Sequence, residues 1–459
     1  MKTALLIDFG STYTKLRAFD LDGAVVIGTA QGPSTVTTDV TIGMQLALEH
    51  LKSRIGTLPK FTYRLASSSA AGGLRIVAIG LVRELTLEAA RRAALGAGAK
   101  IVGSFAQKIN SADLARLVEM SPDIVLLSGG TDGGDSATVI HNARVLGKSD
   151  LSCPIIFAGN RSALDDVAAI LEGKLFIPTE NVMPELNVLN TEPVREVIRR
   201  VFIDRIVHAK GIDRAQALFD SVLMPTPSAV MEAARLLADG HGDSPGLGDL
   251  IVLDPGGATT DVHSVSLGTP SNPSVVMRGL PEPRVKRTVE GDLGMRHNAA
   301  VIVDVVGIDT IAKDAGIGVA DLKNMLHRFS SNAELLPQTN QDQRLDDTLA
   351  EHALRLSIAR HCGKTEIVYT ANGPVTAQEG KDLTQVKTLI GTGGVIAHNP
   401  LATSLLKKAS ASRTPGSLQP EQPRVLIDRH YILYACGLLS SSDPAAALQI
   451  CKANLMEQE

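Results

Sequence analysis

Tryptophan is absent from this 459-residue chain, and aromatic residues make up only 3% of it. Platforms for stacking bases are therefore scarce. The net charge is -4, with no basic block, so nucleic acid is not an expected partner. Four cysteines, Cys153, Cys362, Cys436 and Cys451, stand apart. No C-x-x-C pair occurs, which leaves iron–sulfur and zinc frameworks unsupported. Lone thiols in a reducing compartment fit that spacing. His141, His208, His297, His361 and His398 show no metal-ligand spacing and read as structural. No apolar run nears the roughly 20 residues that span a bilayer. The N-terminus passes into a strand without a signal-peptide layout. A cytoplasmic protein with no membrane partner is expected.

What remains is ordinary in composition and unusual in pattern. Hydrophobic residues are 44% and charged residues 20%, as in globular proteins generally. The length exceeds one hydrophobic core, so two or more domains are expected. Two stretches far apart in the chain share one pattern. The first is Asp8-Phe9-Gly10-Ser11-Thr12-Tyr13-Thr14-Lys15, and the second is Asp254-Pro255-Gly256-Gly257-Ala258-Thr259-Thr260-Asp261. Each follows an apolar run, Ala4–Ile7 or Leu250–Leu253, and each continues into alternation. That is strand, tight turn, strand, written twice. Small residues in such turns leave backbone N–H groups free to face an anion. Asp8 and Asp254 end their strands where a hydrated Mg2+ ion would sit. Gly10, Ser11, Thr12, Gly256, Gly257 and Thr259 then cradle the phosphates of ATP or ADP. Tight-turn chemistry alone also accounts for these residues. Lys15 either touches phosphate or rests on a solvated strand face.

The rest of the chain alternates strands and helices, which indicates α/β layers. Asp22-Gly23 closes a hairpin onto Val25–Ile27. Lys15 and Arg17 share one face of the hairpin, Leu16 and Ala18 the other. Helices are expected at 44–55, 86–97, 137–146 and 163–171, with strands at 76–79, 123–127 and 154–158. Residues 180–238 read as helical, 241–248 as a linker and 337–348 as a loose loop. Glu290 and Asp292 read as opening a helix. A strand at 386–390 enters Gly391-Thr392-Gly393-Gly394, residues 409–423 read as a mobile Ser/Pro-rich stretch, and 431–439 forms a closing helix.

This order of motifs resembles the sugar kinase/Hsp70/actin ATPase superfamily, and within it the glutamate mutase L family. The stretches that carry the resemblance are Asp8–Lys15, LLSGGTDGGD (126–135), ENVMPELNVLN (180–190), DPGGATTDVHSV (254–265), EGDLGMR (290–296) and GTGGVIAH (391–398). The resemblance implies an α/β fold of duplicated ribonuclease H-like domains flanking a nucleotide cleft. It implies a first ATPase domain over 1–180, a mostly helical connection over 181–247, a second ATPase domain over 248–424, and a C-terminal helix (425–459) returning to the first. It implies ATP-driven reactivation of an adenosylcobalamin-dependent mutase of the glutamate mutase or aminomutase type. A small-molecule kinase on the same fold is the alternative. Pro255 departs from the superfamily pattern and removes one backbone donor near the phosphates.

Several site residues keep two readings. Asp132 or Asp135 can bring a general base to the hydrolytic water, or Asp135 can cap the following helix. Asp261 can order water or metal in the cleft. Glu290 and Asp292 can hold the ribose, or cap a helix. Gly391, Gly393 and Gly394 can let adenine lie on bare backbone, or simply form a helix-entry turn. Met183 reads as core rather than as a cobalamin contact.

Overall fold

The computed structural model describes residues 2–10, 13–35, 39–68, 74–209, 219–332, 335–371, 373–411 and 414–457. Ser11 and Thr12 of the first turn lie outside the described residues. Thr3–Phe9 and Leu250–Pro255 are the central strands of two sheets. Both are covered on two faces, which is why they read as continuous apolar runs rather than as alternation.

The first sheet runs, in space, Val25–Pro33, Tyr13–Asp20, Thr3–Phe9, Tyr63–Ser68, Ser221–Pro225. The second runs Val285–Glu290, Thr260–Val265, Leu250–Pro255, Thr388–Gly391, Arg424–Asp428, and adds Leu455–Glu457 at its edge. In both, three antiparallel strands are followed by two parallel ones. This is the ribonuclease H-like order, present twice. The expected alternation of the first hairpin holds only in part. Arg17 is buried, and its Nε donates to the His430 carbonyl at 3.0 Å, tying this sheet to the segment that leads into the closing helix.

Each sheet ends in a helix, Thr226–Asp239 after the first and Leu433–Leu439 after the second. The two pack against one another and share a core with Leu6, Leu65, Leu250 and Val252 from both sheets. Gly437 makes the crossing possible: a Cβ at that position would overlap the Ala229 carbonyl. Leu433–Leu439 therefore packs on the first half, while Arg424–Asp428 and Leu455–Glu457 pair in the second sheet. The boundaries fall elsewhere than expected, because Ser221–Pro225 from the connecting stretch is the fifth strand of the first sheet.

Between the fourth and fifth strands of that first sheet lies an inserted α/β unit. Its five strands are all parallel and run Lys100–Ala106, Arg75–Gly80, Ile124–Leu127, Ile155–Phe157, Phe176–Pro178. In chain order that is 2-1-3-4-5, the flavodoxin-like winding. It has its own core, built on residues such as Val77, Val125, Leu127 and Phe157.

The second half carries a helical layer over one face of its sheet. Gly307 (φ 100°) and Gly316 (φ 64°) separate Ala299–Val306, Ile308–Ala315 and Val319–Ser331. The loose loop expected at 337–348 is instead the start of a 22-residue helix, Asn340–His361. Thr339 and Asp342 form a capping box there. Asp346 pairs with the buried Arg296 guanidinium at 2.6 Å. Its polar opening turns serve buried ion pairs, so hydropathy hid the helix. The expected mobile stretch likewise begins inside a helix, Ala402–Ala411.

Gly437→Ala should lower stability by about 1–3 kcal/mol, the usual cost of overpacking. Denaturant unfolding checks this. An unchanged midpoint would mean that the two helices do not approach so closely.

Candidate nucleotide cleft

Backbone pairing makes the two hairpins equivalent. Asp8 faces Lys15 across the first, and Asp254 faces Asp261 across the second. Each turn closes with one main-chain bond, Gly10 N–H to the Tyr13 carbonyl at 3.0 Å and Gly256 N–H to the Thr259 carbonyl at 2.8 Å. The duplication thus carries a charge reversal, with Lys15 in one half where Asp261 stands in the other.

A cavity of about 300 Å3 opens between the halves, lined on one side by Gly10 and Lys15 and on the other by Asp254, Gly256, Gly257, Thr259 and Asp261. Asp8 is buried at its edge. Its Oδ1 accepts from Thr226 Oγ1 at 2.6 Å, and Lys15 Nζ lies 3.6 Å from Oδ2. Lys15 also sits 4.2 Å from the centroid of the Tyr431 ring, so it is held inside the cleft rather than solvated. Burial, then the neighbouring Asp261, pushes the Asp254 carboxyl up to about 7, against the opposing pull of Lys15. Asp261 is also raised by burial, opposed by the Arg287 and Lys100 charges.

The second turn is braced from behind. The N–H of Met295 donates to the Gly256 carbonyl, and those of Arg296 and His297 to the Gly257 carbonyl. Gly294 is required, since a side chain there would overlap Ala258. This is the work of the EGDLGMR stretch. Its carboxylates do not line the cavity. Glu290 ends a strand instead of opening a helix, and Asp292 lies in the turn that follows. Both are held by Arg360, at 2.8 Å and 2.7 Å. Of the Gly-rich 391–394 loop, Gly393 (φ 85°) packs against Asp254, where a side chain would overlap its Oδ1. Gly391 is buried at the strand end, and Gly394 faces open space.

Asp132 and Asp135 stand on the inserted unit and do not line this cavity. Asp135 accepts from the Thr138 N–H at 3.1 Å, a capping contact for Ala137–Gly147. The expectation that either supplies a base to the cleft has no geometric support, because the loop faces the carboxyl edge of the inserted sheet.

Three cleft residues were not legible in advance. Arg287 binds Asp261 at 2.9 Å and also donates to the Leu95 and Ala99 carbonyls of the inserted unit. Lys100, the first residue of an inserted strand, reaches the same cavity. His263 lies beyond Asp261, buried, with no hydrogen-bond partner for Nδ1 among the described residues. Burial, then Arg287, holds it well below its usual range. Only the spacing of Asp261 and His263 along one strand face was a sequence signal for any of them.

The donor set suits Mg2+ rather than a structural metal. No group of three or more His, Cys, Asp or Glu is placed to hold an ion among the described residues. Mg2+ keeps most of its waters and takes one or two carboxylates plus phosphate oxygens, which Asp8 and Asp254 can supply. No helix among the described residues is long and apolar enough to cross a membrane.

Comparisons with known proteins found similar structures and sequences. Among solved structures, the diol dehydratase-reactivating factor in nucleotide-free form matches 96% of this chain and 99% of its own, at 12% identity and a TM-score of 0.37. Gluconate kinase from Lactobacillus acidophilus matches 100% and 93%, at 8% identity and a TM-score of 0.37. Among curated proteins, Protein MutL of Clostridium tetanomorphum is 43% identical over 461 residues and covers 100% of both chains. The family model described as MutL protein matches residues 4–455. The chain therefore belongs to the MutL, or glutamate mutase L, family.

Proposed function

We propose that this protein binds ATP or ADP with Mg2+ between its two halves and uses nucleotide turnover to reactivate an adenosylcobalamin-dependent mutase. The observation that carries the nucleotide part is the pair of equivalent hairpins facing one cavity. Membership of the glutamate mutase L family supports the choice of partner. The roles of residues follow from their places. Gly257 and Thr259 offer backbone N–H groups to phosphate oxygens, and Gly10 and Gly256, whose own N–H groups close the turns, keep that approach clear of side chains. Asp8 and Asp254 hold the water shell of Mg2+, which when bound neutralises charge developing on the phosphates. Lys15, fixed between Asp8 and Tyr431, adds a cation at the same point. Ser11 and Thr12 also bind phosphate in this reading.

Mg-ATP should bind at micromolar concentration, a free energy of about 8 kcal/mol. Gly257→Val should abolish that binding. A Cβ at Gly257 meets nothing nearer than 3.9 Å, so the fold tolerates it while the phosphates do not. Calorimetry on folded protein checks both statements, and no Mg-ATP binding to the unsubstituted chain would end this reading.

Asp254→Asn should slow ATP turnover by about 100-fold or more and leave ADP binding largely intact, because the carboxylate acts near the terminal phosphate. Turnover at the original rate would remove Asp254 from the mechanism.

The partner is tested with the protein, Mg-ATP, adenosylcobalamin and a mutase inactivated with hydroxocobalamin. Activity should return only with hydrolysable ATP. No recovery with any cobalamin mutase of the host, together with ATP-dependent phosphorylation of a metabolite, would favour a kinase.

A further inference from the structure

Two stretches that set this sequence apart, LLSGGTDGGD and ENVMPELNVLN, play no part in the nucleotide cleft. The fold brings them together elsewhere. They follow the third and fifth strands of the inserted sheet, Ile124–Leu127 and Phe176–Pro178, at the carboxyl edge. Ligands of open parallel sheets bind outside the carboxyl ends of the strands. A cavity of about 580 Å3 lies there, and it shares no lining residue with the nucleotide cleft. That volume is in the range of small-molecule sites.

The loops around it are rigidly organised. Buried Asn160 accepts from the Gly133 N–H and donates to the Gly134 carbonyl. Buried Asn181 donates to the Gly130 carbonyl and to Asp132 Oδ1 at 2.9 Å. Gly130 (φ 74°) has no room for a side chain against the Asp135 carbonyl. The three amides at the middle of the loop are engaged. Asp132 N–H donates to the Pro184 carbonyl, Gly133 N–H to Asn160, and Gly134 N–H to the Thr131 carbonyl. Asp132 and Glu180 line the cavity against one guanidinium, Arg161. A phosphate in this cavity would meet the carboxylates of Asp132 and Glu180.

The same features suit hydroxyl donors. An asparagine amide binds one oxygen of each carboxylate: Asn181 holds Asp132 Oδ1, and Asn190 holds Glu180 Oε2 at 2.8 Å. Asp132 Oδ2 and Glu180 Oε1 accept no hydrogen bond among the described residues. They are two fixed acceptors over a floor of Phe157, Leu164 and Pro178. Paired carboxylate acceptors beside an apolar surface fit a ribose diol with a flat base, and a carboxylate at the edge of a parallel sheet is a recurrent ribose ligand.

We infer that the carboxyl edge of the inserted sheet is a second ligand site, for an unphosphorylated ribonucleoside moiety, with Asp132 and Glu180 holding the ribose hydroxyls. It is independent of the nucleotide reading of the cleft.

The test titrates the full chain with adenosine and with 2′-deoxyadenosine, by calorimetry and by hydrogen exchange. Adenosine should bind saturably at millimolar concentration or below and slow exchange in 128–135 and 179–190. Removing the 2′-hydroxyl should weaken binding about tenfold or more. Asp132→Asn and Glu180→Gln should each do the same at unchanged melting temperature. Among the described residues Glu180 has one hydrogen bond, from Asn190, so its variant stays informative if Asp132→Asn loosens the loop. Three results would overturn the inference: no saturable binding, protection confined to 391–398, or affinity indifferent to both the hydroxyl and Glu180→Gln.

Discussion

Like charge gathered in one recess is the constraint around which this molecule is organised. Asp254 stands near Asp261, Asp428 and Asp8, with Lys15 as the cation acting against them. Carboxylates taken out of water so close together oppose one another and favour protonation. The fold does not relieve this with a buried arginine at Asp254. It offsets the charge elsewhere: Arg287 pairs with Asp261, Thr392 and the amides of Ile432 and Leu433 hold Asp428, and Thr226 holds Asp8. Asp254 is left as the least compensated group, facing the cavity between the two turns. In the proposed function this recess takes a divalent cation with its water shell, whose phosphate ligands lie against the glycine turns.

The contacts that offset this charge also bind the parts of the molecule together. Thr226 opens the helix that ends the first half, and Asp428 caps the helix that ends the second. Those helices cross at Ala229 and Gly437. Thr226, which steadies Asp8, and Asp428 therefore sit at the roots of the helix pair joining the halves. Arg287 extends the connection to the inserted sheet through the Leu95 and Ala99 carbonyls. Any redistribution of charge at Asp261 acts on a guanidinium that also holds the insertion. Arg92 adds a second tie, donating to the Pro281 carbonyl and to Glu282 of the other half.

How much of this could be read beforehand depended on the range of the interaction. The two hairpins are local, and strand, turn and strand followed from seven-residue patterns. Helices such as Val40–Ile55 and Glu192–Ala209 were visible because their apolar spacing is local as well. The fifth strand of the first sheet, Ser221–Pro225, was lost among helices because its identity rests on pairing with Tyr63–Ser68, over 150 residues earlier in the chain. The first turns of Asn340–His361 were lost for another reason. Asp342 and Asp346 are buried by ion pairs with Arg328 and Arg296, so polar residues occupy core positions. The glycine-rich 129–135 loop misled more subtly. It was read as bringing a base to the hydrolytic water or as capping a helix, and only the long-range fold puts it on the inserted unit, outside the lining of the cleft.

Pro255 illustrates how the second hairpin accommodates a residue that the pattern disfavours. A proline inside a central strand normally breaks the ladder. Here the parallel neighbour pairs only as far as Leu253 with Gly391, so position 255 lies past the last bond on that side. On the other side Pro255 pairs with Thr260 at the mouth of the turn. The next residue, Gly256, supplies the N–H that closes the turn, and its carbonyl is taken by Met295. The missing donor therefore costs the sheet nothing, and the fixed φ of proline stiffens the entry to the turn. The first hairpin, with Phe9 at the same place, spends that position on its core instead. Two equivalent turns thus reach one geometry by different means, one through backbone restriction and one through burial.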